Sequence, residues 1–182
     1  MADLIRDGKK TGRPTGLKQH LLHYQSLVDQ HFTMPSAPQA NELPGNQANK
    51  PVILVVEDNA DEWFLIRWGL LQEFPGIEPV WCSTPQQATA YLNTCLDQPK
   101  ALPCIILVDL YLPTVQDGLG ILQALKTHER LQTIPLITIS RSKQTKDIIN
   151  ALTDLSEMYI IKPDNYGQWR ETFSPFKNYL PK

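Results

Sequence analysis

Five side chains of this sequence have the types needed to handle a phosphoryl group: the adjacent pair Glu57-Asp58, then Asp109, Ser140 and Lys162. Each closes a short apolar run, so each is expected at the same kind of place in the fold. Three carboxylates brought close together repel one another unless a cation joins them. Hard oxygen donors in this number suit Mg²⁺, which is commonly held by one or two carboxylates together with waters and phosphate oxygens. The charges close: the three carboxylates are cancelled by the two positive charges of Mg²⁺ and the one of Lys162. A phosphoryl oxyanion arriving there would be held by the cation, the ammonium and the Ser140 hydroxyl. Taken singly, none of these residues says much. A strand-end aspartate is usually solvated or caps a helix, and Lys162-Pro163 alone is a strand exit. What matters is whether the chain brings them to one rim.

The elements that would do so alternate from Val52 onward. Val52-Ile53-Leu54-Val55-Val56 is a continuous β-branched and apolar run, suited to a strand buried on both faces. A helix is predicted over Ala60 to Glu73, ending before Pro75. A short strand follows at Ile77–Cys82, placed at a sheet edge because Pro79 cannot donate a ladder hydrogen bond. Thr84 caps a second helix with Pro85 at its first position. Cys104-Ile105-Ile106-Leu107-Val108 is a second buried strand. A helix over 118–128, a strand over Leu136–Ile139, a helix near 144–153, a strand over Met158–Ile161 and a last helical segment from Asn165 complete the series. Five strands alternating with five helices predict an α/β fold, a doubly wound parallel sheet. In such sheets the working crevice lies beyond the carboxyl ends of the strands, where the five residues stand.

The motifs resemble those of response-regulator receiver domains. ILVVEDN, 53–59, is similar to the opening of that family. IILVDLYLP, 105–113, resembles its phosphoacceptor strand, with proline four after the aspartate. PLITIS, 135–140, resembles the fourth strand with its Thr/Ser switch residue, and YIIKP, 159–163, the fifth strand with its aromatic switch and lysine. The resemblance covers about 52–180. It implies a CheY-like, flavodoxin-like sheet of order 2-1-3-4-5. It also implies roles: Asp109 as the nucleophile toward a phosphohistidine on a histidine kinase or phosphotransfer protein; Asp58 and Asp109 as Mg²⁺ ligands, with Glu57 close by or through water and the Tyr111 carbonyl completing the set. Ser140 and Lys162 would contact the phosphoryl group, and Tyr159 would swing inward when Ser140 is drawn to it. The aromatic tail resembles single-domain regulators that partner bacterial phytochromes.

Some positions depart from the family pattern. Arg141 stands where Ala or Gly usually follows the switch residue; it would crowd the way to Asp109 or add a cation to the phosphoryl group. The loop Thr114–Gly118 reads as one residue longer than usual, and Leu155 replaces a glycine common at the end of the fourth helix. These departures motivate a second reading, a non-phosphorylated receiver-like adaptor. A haloacid-dehalogenase-type phosphohydrolase is less favoured, since it needs a second aspartate where this chain has Tyr111. A flavodoxin-like FMN carrier is disfavoured because Glu57-Asp58 would repel its phosphate.

The rest of the sequence sets the frame. The chain has 182 residues, 42% of them hydrophobic and 20% charged, and a net charge of −2. That is ordinary for a globular domain and offers no basic excess for a nucleic-acid partner. No apolar run approaches the ~20 residues of a membrane span, and Met1 to Pro14 lacks a signal-peptide core, so a cytoplasmic location is expected. Cys82, Cys95 and Cys104 are scattered and read as reduced core thiols. His20, His23, His31 and His128 show no ligand spacing tied to the rim. Residues 1–50 read as an N-terminal arm, with a short helix over 15–32 and a flexible linker over 33–50, ahead of a receiver domain at 51–182. With the sequence running out at Lys182, no output domain is expected. Tyr166, Trp169, Phe173, Phe176 and Leu180 form an apolar stripe broken at Pro175, which would cost ~3 kcal/mol inside a continuous helix; Ser174 is expected to cap a new turn there. That stripe, with Trp63 and Trp68, predicts a homodimer or docking of residues 15–32 back onto the domain.

Overall fold

The computed structural model describes residues 50–98, 102–141 and 154–181. The expected helices over 15–32 and near 144–153 and almost all of the 33–50 linker lie outside the described residues. In chain order the elements are β1 (Val52–Val56), α1 (Ala60–Glu73), β2 (Glu78–Cys82), α2 (Pro85–Leu96), β3 (Ile105–Asp109), α3 (Val115–Thr127), β4 (Leu136–Ser140), β5 (Met158–Ile161) and α4 (Trp169–Phe173). The strands form one parallel sheet of order β2-β1-β3-β4-β5, as the alternating pattern and the family resemblance imply.

Strand periodicity explains the layering. Successive side chains of β1 and β3 point to opposite faces. Leu54, Val56, Ile106 and Val108 join a core with Ala88 and Leu92 of α2 and Ile121, Leu122 and Leu125 of α3. Ile53, Val55, Ile105 and Leu107 join a second core with Ile66 and Leu70 of α1 and with Trp169, Phe173 and Phe176 of the tail. A sheet covered on both faces leaves its strand ends as the place where polar groups can gather. Strand β2 pairs only with β1 and lies at the edge, which accommodates Pro79.

Local chemistry sets the helix starts. Thr84 Oγ1 accepts from Gln87 N at 3.2 Å, with Pro85 opening α2. Helix α3 starts earlier than the expected 118. Thr114 Oγ1 accepts from Asp117 N at 3.3 Å, and Asp117 Oδ2 accepts from Thr114 N at 3.2 Å. This reciprocal capping box turns the segment read as a longer loop into the first turn of the helix.

The tail breaks where proline demands it. Helix α4 ends at Phe173 and a 3₁₀ turn, Ser174–Asn178, takes over with Pro175 in its first turn. Ser174 is not the cap expected of it: Phe173 holds the cap position and Ser174 is the first residue of the 3₁₀ turn, with Pro175 next. The apolar stripe is largely buried against the sheet, with Phe173 and Phe176 edge-to-face at 5.3 Å. Gly69 permits this packing, since a Cβ there would meet Phe173 Cε2 at 2.9 Å and the Trp169 carbonyl oxygen at 3.0 Å. The tryptophans also find partners inside the chain: Trp63 stacks on Trp81 at 5.7 Å, and Trp68 meets Tyr166 at 4.2 Å. Much of the aromatic surplus that prompted the dimer expectation is therefore used within the chain. Among the described residues, no helix is long and apolar enough to cross a membrane.

Candidate active site

The ladders continue one residue past the strand ends and fix the site residues from the main chain. Glu57 N donates to the Cys82 carbonyl at 3.1 Å, Leu110 N to that of Ile139 at 2.9 Å, and Lys162 N to that of Ser140 at 2.7 Å. The Glu57 carbonyl also accepts from the Trp81 indole N–H at 2.7 Å. Strands β1, β3 and β5, the last two separated by β4, thereby present Glu57, Asp109 and Lys162 to one crevice of about 370 Å³, lined also by Asp58, Glu62, Tyr111 and Arg141.

Lys162 is the hub. Its Nζ lies 2.7 Å from Glu57 Oε2 and 2.8 Å from Asp109 Oδ2, and it also pairs with Glu62 Oε2. All four groups are buried. Burial alone would lower the Lys162 pKa, but Glu57 and Asp109 outweigh it and raise the value. Burial pushes Glu57 up to about 7 despite the pull of Lys162. Asp109 is raised by burial as well, again against the pull of Lys162. Burial also acts to raise Glu62, but hydrogen bonds and charge from Lys162 and Arg141 bring it below the usual carboxylate range.

Carboxylate oxygens of Glu57, Asp58 and Asp109 lie within 4.8 Å of one another, with Asp58 exposed and the other two buried. Three hard anionic donors at that spacing, one facing solvent, fit a divalent cation. Asp109 is further oriented by the Tyr111 N–H, which donates to Oδ1 at 3.2 Å.

Not every expected residue reaches the crevice. The Ser140 side chain is fully buried, and Tyr159 is half-buried against the core of Leu54, Ile106 and Leu122; neither lines the crevice. Conversely, Glu62 has a place in the site that the sequence reading missed. It occupies the third position of α1 behind the cap Asn59, whose Oδ1 accepts from Asp61 N and Glu62 N at 2.9 and 3.2 Å. An acidic residue there reads as ordinary helix-start chemistry, which hides it. Arg141, expected to crowd the way to Asp109 or to add a cation to the phosphoryl group, lines the crevice and pairs with Glu62.

No family model matches the chain. The probable methanogenesis regulatory protein FilR2 of Methanothrix harundinacea (strain 6Ac) is 33% identical over 130 residues, 70% of this chain and 82% of that protein. The crystal structure of the phosphorylated cyanobacterial phytochrome response regulator RcpA superposes with a TM-score of 0.61 at 30% identity, covering 72% of this chain and 94% of that one. The chain belongs to the response-regulator receiver family. Another structure, the Mn(2+)-bound form of response regulator Rcp1, matches with a TM-score of 0.58 at 25% identity over 71% of this chain and 93% of that one. As a receiver, the chain is a two-component signalling protein rather than a turnover enzyme. Its acidic trio is compatible with a divalent cation of the kind Rcp1 holds.

Proposed function

We propose that this receiver takes a phosphoryl group onto Asp109 from a phosphohistidine of a histidine kinase or phosphotransfer protein, and that the modified form binds a downstream protein differently. The observation that carries the reading is the placing of Lys162 Nζ 2.8 Å from Asp109 Oδ2, in a crevice shared with Glu57 and Asp58. In the step, an Asp109 carboxylate oxygen forms a bond to phosphorus while the P–N bond to the donor imidazole breaks. The electron pair of that bond stays on the imidazole nitrogen. Lys162 keeps Asp109 ionised for attack and offers its charge to the phosphoryl oxygens.

Glu57, Asp58, Asp109 and the Tyr111 carbonyl would hold Mg²⁺, which supplies countercharge to the phosphoryl oxygens when bound. Ser140 is the switch hydroxyl, drawn out of its buried position toward the phosphoryl group, with Tyr159 following inward. The similarity to RcpA makes a phytochrome one candidate class of kinase partner. A histidine donor charged from ATP supports a cytoplasmic location for the reaction.

The test is incubation with acetyl phosphate and Mg²⁺ followed by intact mass measurement. A gain of one phosphate is expected in the wild type and none in Asp109→Asn. No gain in the wild type at saturating donor and Mg²⁺ would instead make the chain a receiver-like adaptor that binds partners by its fold alone.

A further inference from the structure

The Lys162 ammonium has three N–H groups, and three carboxylates take them: Glu57, Asp109 and Glu62. The Lys162 side chain is only 3% exposed, so solvent offers little in their place. A phosphoryl oxygen that comes to Lys162 must therefore displace one of the three. Glu57 and Asp109 belong to the cation-holding trio, and Asp109 itself carries the new group. Glu62 belongs to neither.

Its two oxygens are divided between two cations, Oε2 on Lys162 and Oε1 on Arg141. Glu62 is free to face inward because another residue does its usual work at the helix start: the Asn59 N–H, which a third-position glutamate would normally take, donates to Glu57 Oε1 at 3.2 Å. A carboxylate bridging two cations beside Asp109 has the recognition chemistry that phosphoryl oxygens require.

We propose that Glu62 is a built-in stand-in for the phosphoryl group: it holds Lys162 and Arg141 while Asp109 is unmodified, and yields both to the phosphoryl oxygens when Asp109 is phosphorylated. This rests on the proposed phosphorylation of Asp109. Glu62 is then a positioning residue that sets how readily the site accepts the group. Arg141, whose side chain is 72% exposed, moves from Glu62 to the phosphoryl oxygens. The transfer couples the state of Asp109 to the first turn of α1.

The experiment uses the full chain with Mg²⁺ and beryllofluoride, a phosphoryl mimic that coordinates reversibly to the Asp109 carboxylate oxygen. Binding is followed by the intrinsic tryptophan fluorescence, to which Trp81, tied to Glu57 through its indole N–H, contributes. Glu62→Gln keeps the size and removes the charge. It should tighten beryllofluoride binding at least threefold and speed labelling by acetyl phosphate. Mg²⁺ alone should bind it no more tightly than the wild type, because a negative charge has gone. Arg141→Gln should loosen beryllofluoride binding, both alone and in the Glu62→Gln background. A merely structural role for Glu62 predicts weaker binding of every ligand. Unchanged or weaker beryllofluoride binding in Glu62→Gln, with a wild type that binds it, overturns this inference and leaves the proposed function standing. A silent wild type with a binding Glu62→Gln supports both. If neither protein binds beryllofluoride nor gains phosphate, both readings fall.

Discussion

Gly118 sits so close to the Leu110 carbonyl that a Cβ at position 118 would lie 2.2 Å from its oxygen. Helix α3 is thus seated directly on the backbone just after Asp109, and the helix has no room to approach that segment more closely. Gly118→Ala should force them apart and cost about 3 kcal/mol, in the range of severe backbone misfits. Gly120, two residues on, meets nothing within 4 Å. Gly120→Ala should stabilise by about 1 kcal/mol through helix propensity alone. Urea unfolding of the two variants checks the pair; equal effects would show that the close approach does not govern stability.

Lys162 is buried among three carboxylates, so its removal leaves buried negative charges facing each other. Removing one partner of a buried ion pair costs about 3–5 kcal/mol. Lys162→Met should lose stability on that order in the absence of divalent cation. Mg²⁺ should restore a larger share in the variant than it adds to the wild type, since the cation is then the main countercharge. Thermal melts with and without Mg²⁺ read both effects. A variant as stable as the wild type without Mg²⁺ would mean that the carboxylates neutralise themselves by protonation.

How much of this was legible in the sequence follows from the range of the interactions involved. The β-branched runs at 52–56 and 105–108 announced buried central strands because every position faces a core. Thr84-Pro85 announced a helix start because the signal is local. Asp109 and Lys162 were legible as strand-end residues, since topology carries all strand ends of a parallel sheet to one rim. Glu62 was not, because its turn toward Lys162, 100 residues away, depends on Asn59 being satisfied by Glu57. The Thr114–Asp117 box was overlooked because Pro113 made the whole segment read as a loop. The aromatic stripe is legible as an apolar face, but periodicity does not name what it packs on, which is the sheet face of Ile53 and Val55.

Burial pushes the Cys82 thiol up to about 12, with the neighbouring Cys95 adding to the effect, and Cys95 and Cys104 are raised by burial too. The thiolate is the reactive form, so the native chain should react very slowly with a disulfide reagent at pH 8 and release all three thiols on denaturation. The sign for stability follows from the raised value. The folded state holds the Cys82 proton more firmly than the unfolded chain, so this contribution is intact below pH 9 and is lost as the pH rises toward about 12. Cys82→Ala should flatten that alkaline loss in a series of melts. An undiminished slope in the variant would assign the loss to other groups.

The lifetime of a phosphorylated Asp109 should be set by Tyr111. Hydrolysis of an aspartyl phosphate needs a water opposite the carboxylate oxygen, in line with the breaking bond. Tyr111 is two residues beyond Asp109, lines the same crevice and is 41% exposed, so it borders the site where the site meets solvent. Its own N–H donates to Asp109 Oδ1 at 3.2 Å, which ties the Tyr111 backbone to the Asp109 carboxylate. A ring held there excludes water, and a displacement of ~1 Å in a reacting group can cost about a hundredfold in rate. Slow self-dephosphorylation is therefore expected, suited to a sustained signal or to relay onward. Tyr111→Asn replaces the ring with a small polar group that can orient water, and decay should quicken several-fold, with that hundredfold as the ceiling. Time courses of phosphate release from the two phosphorylated proteins measure it: equal rates, or a faster wild type, would show that the ring does not shield the phosphoryl group.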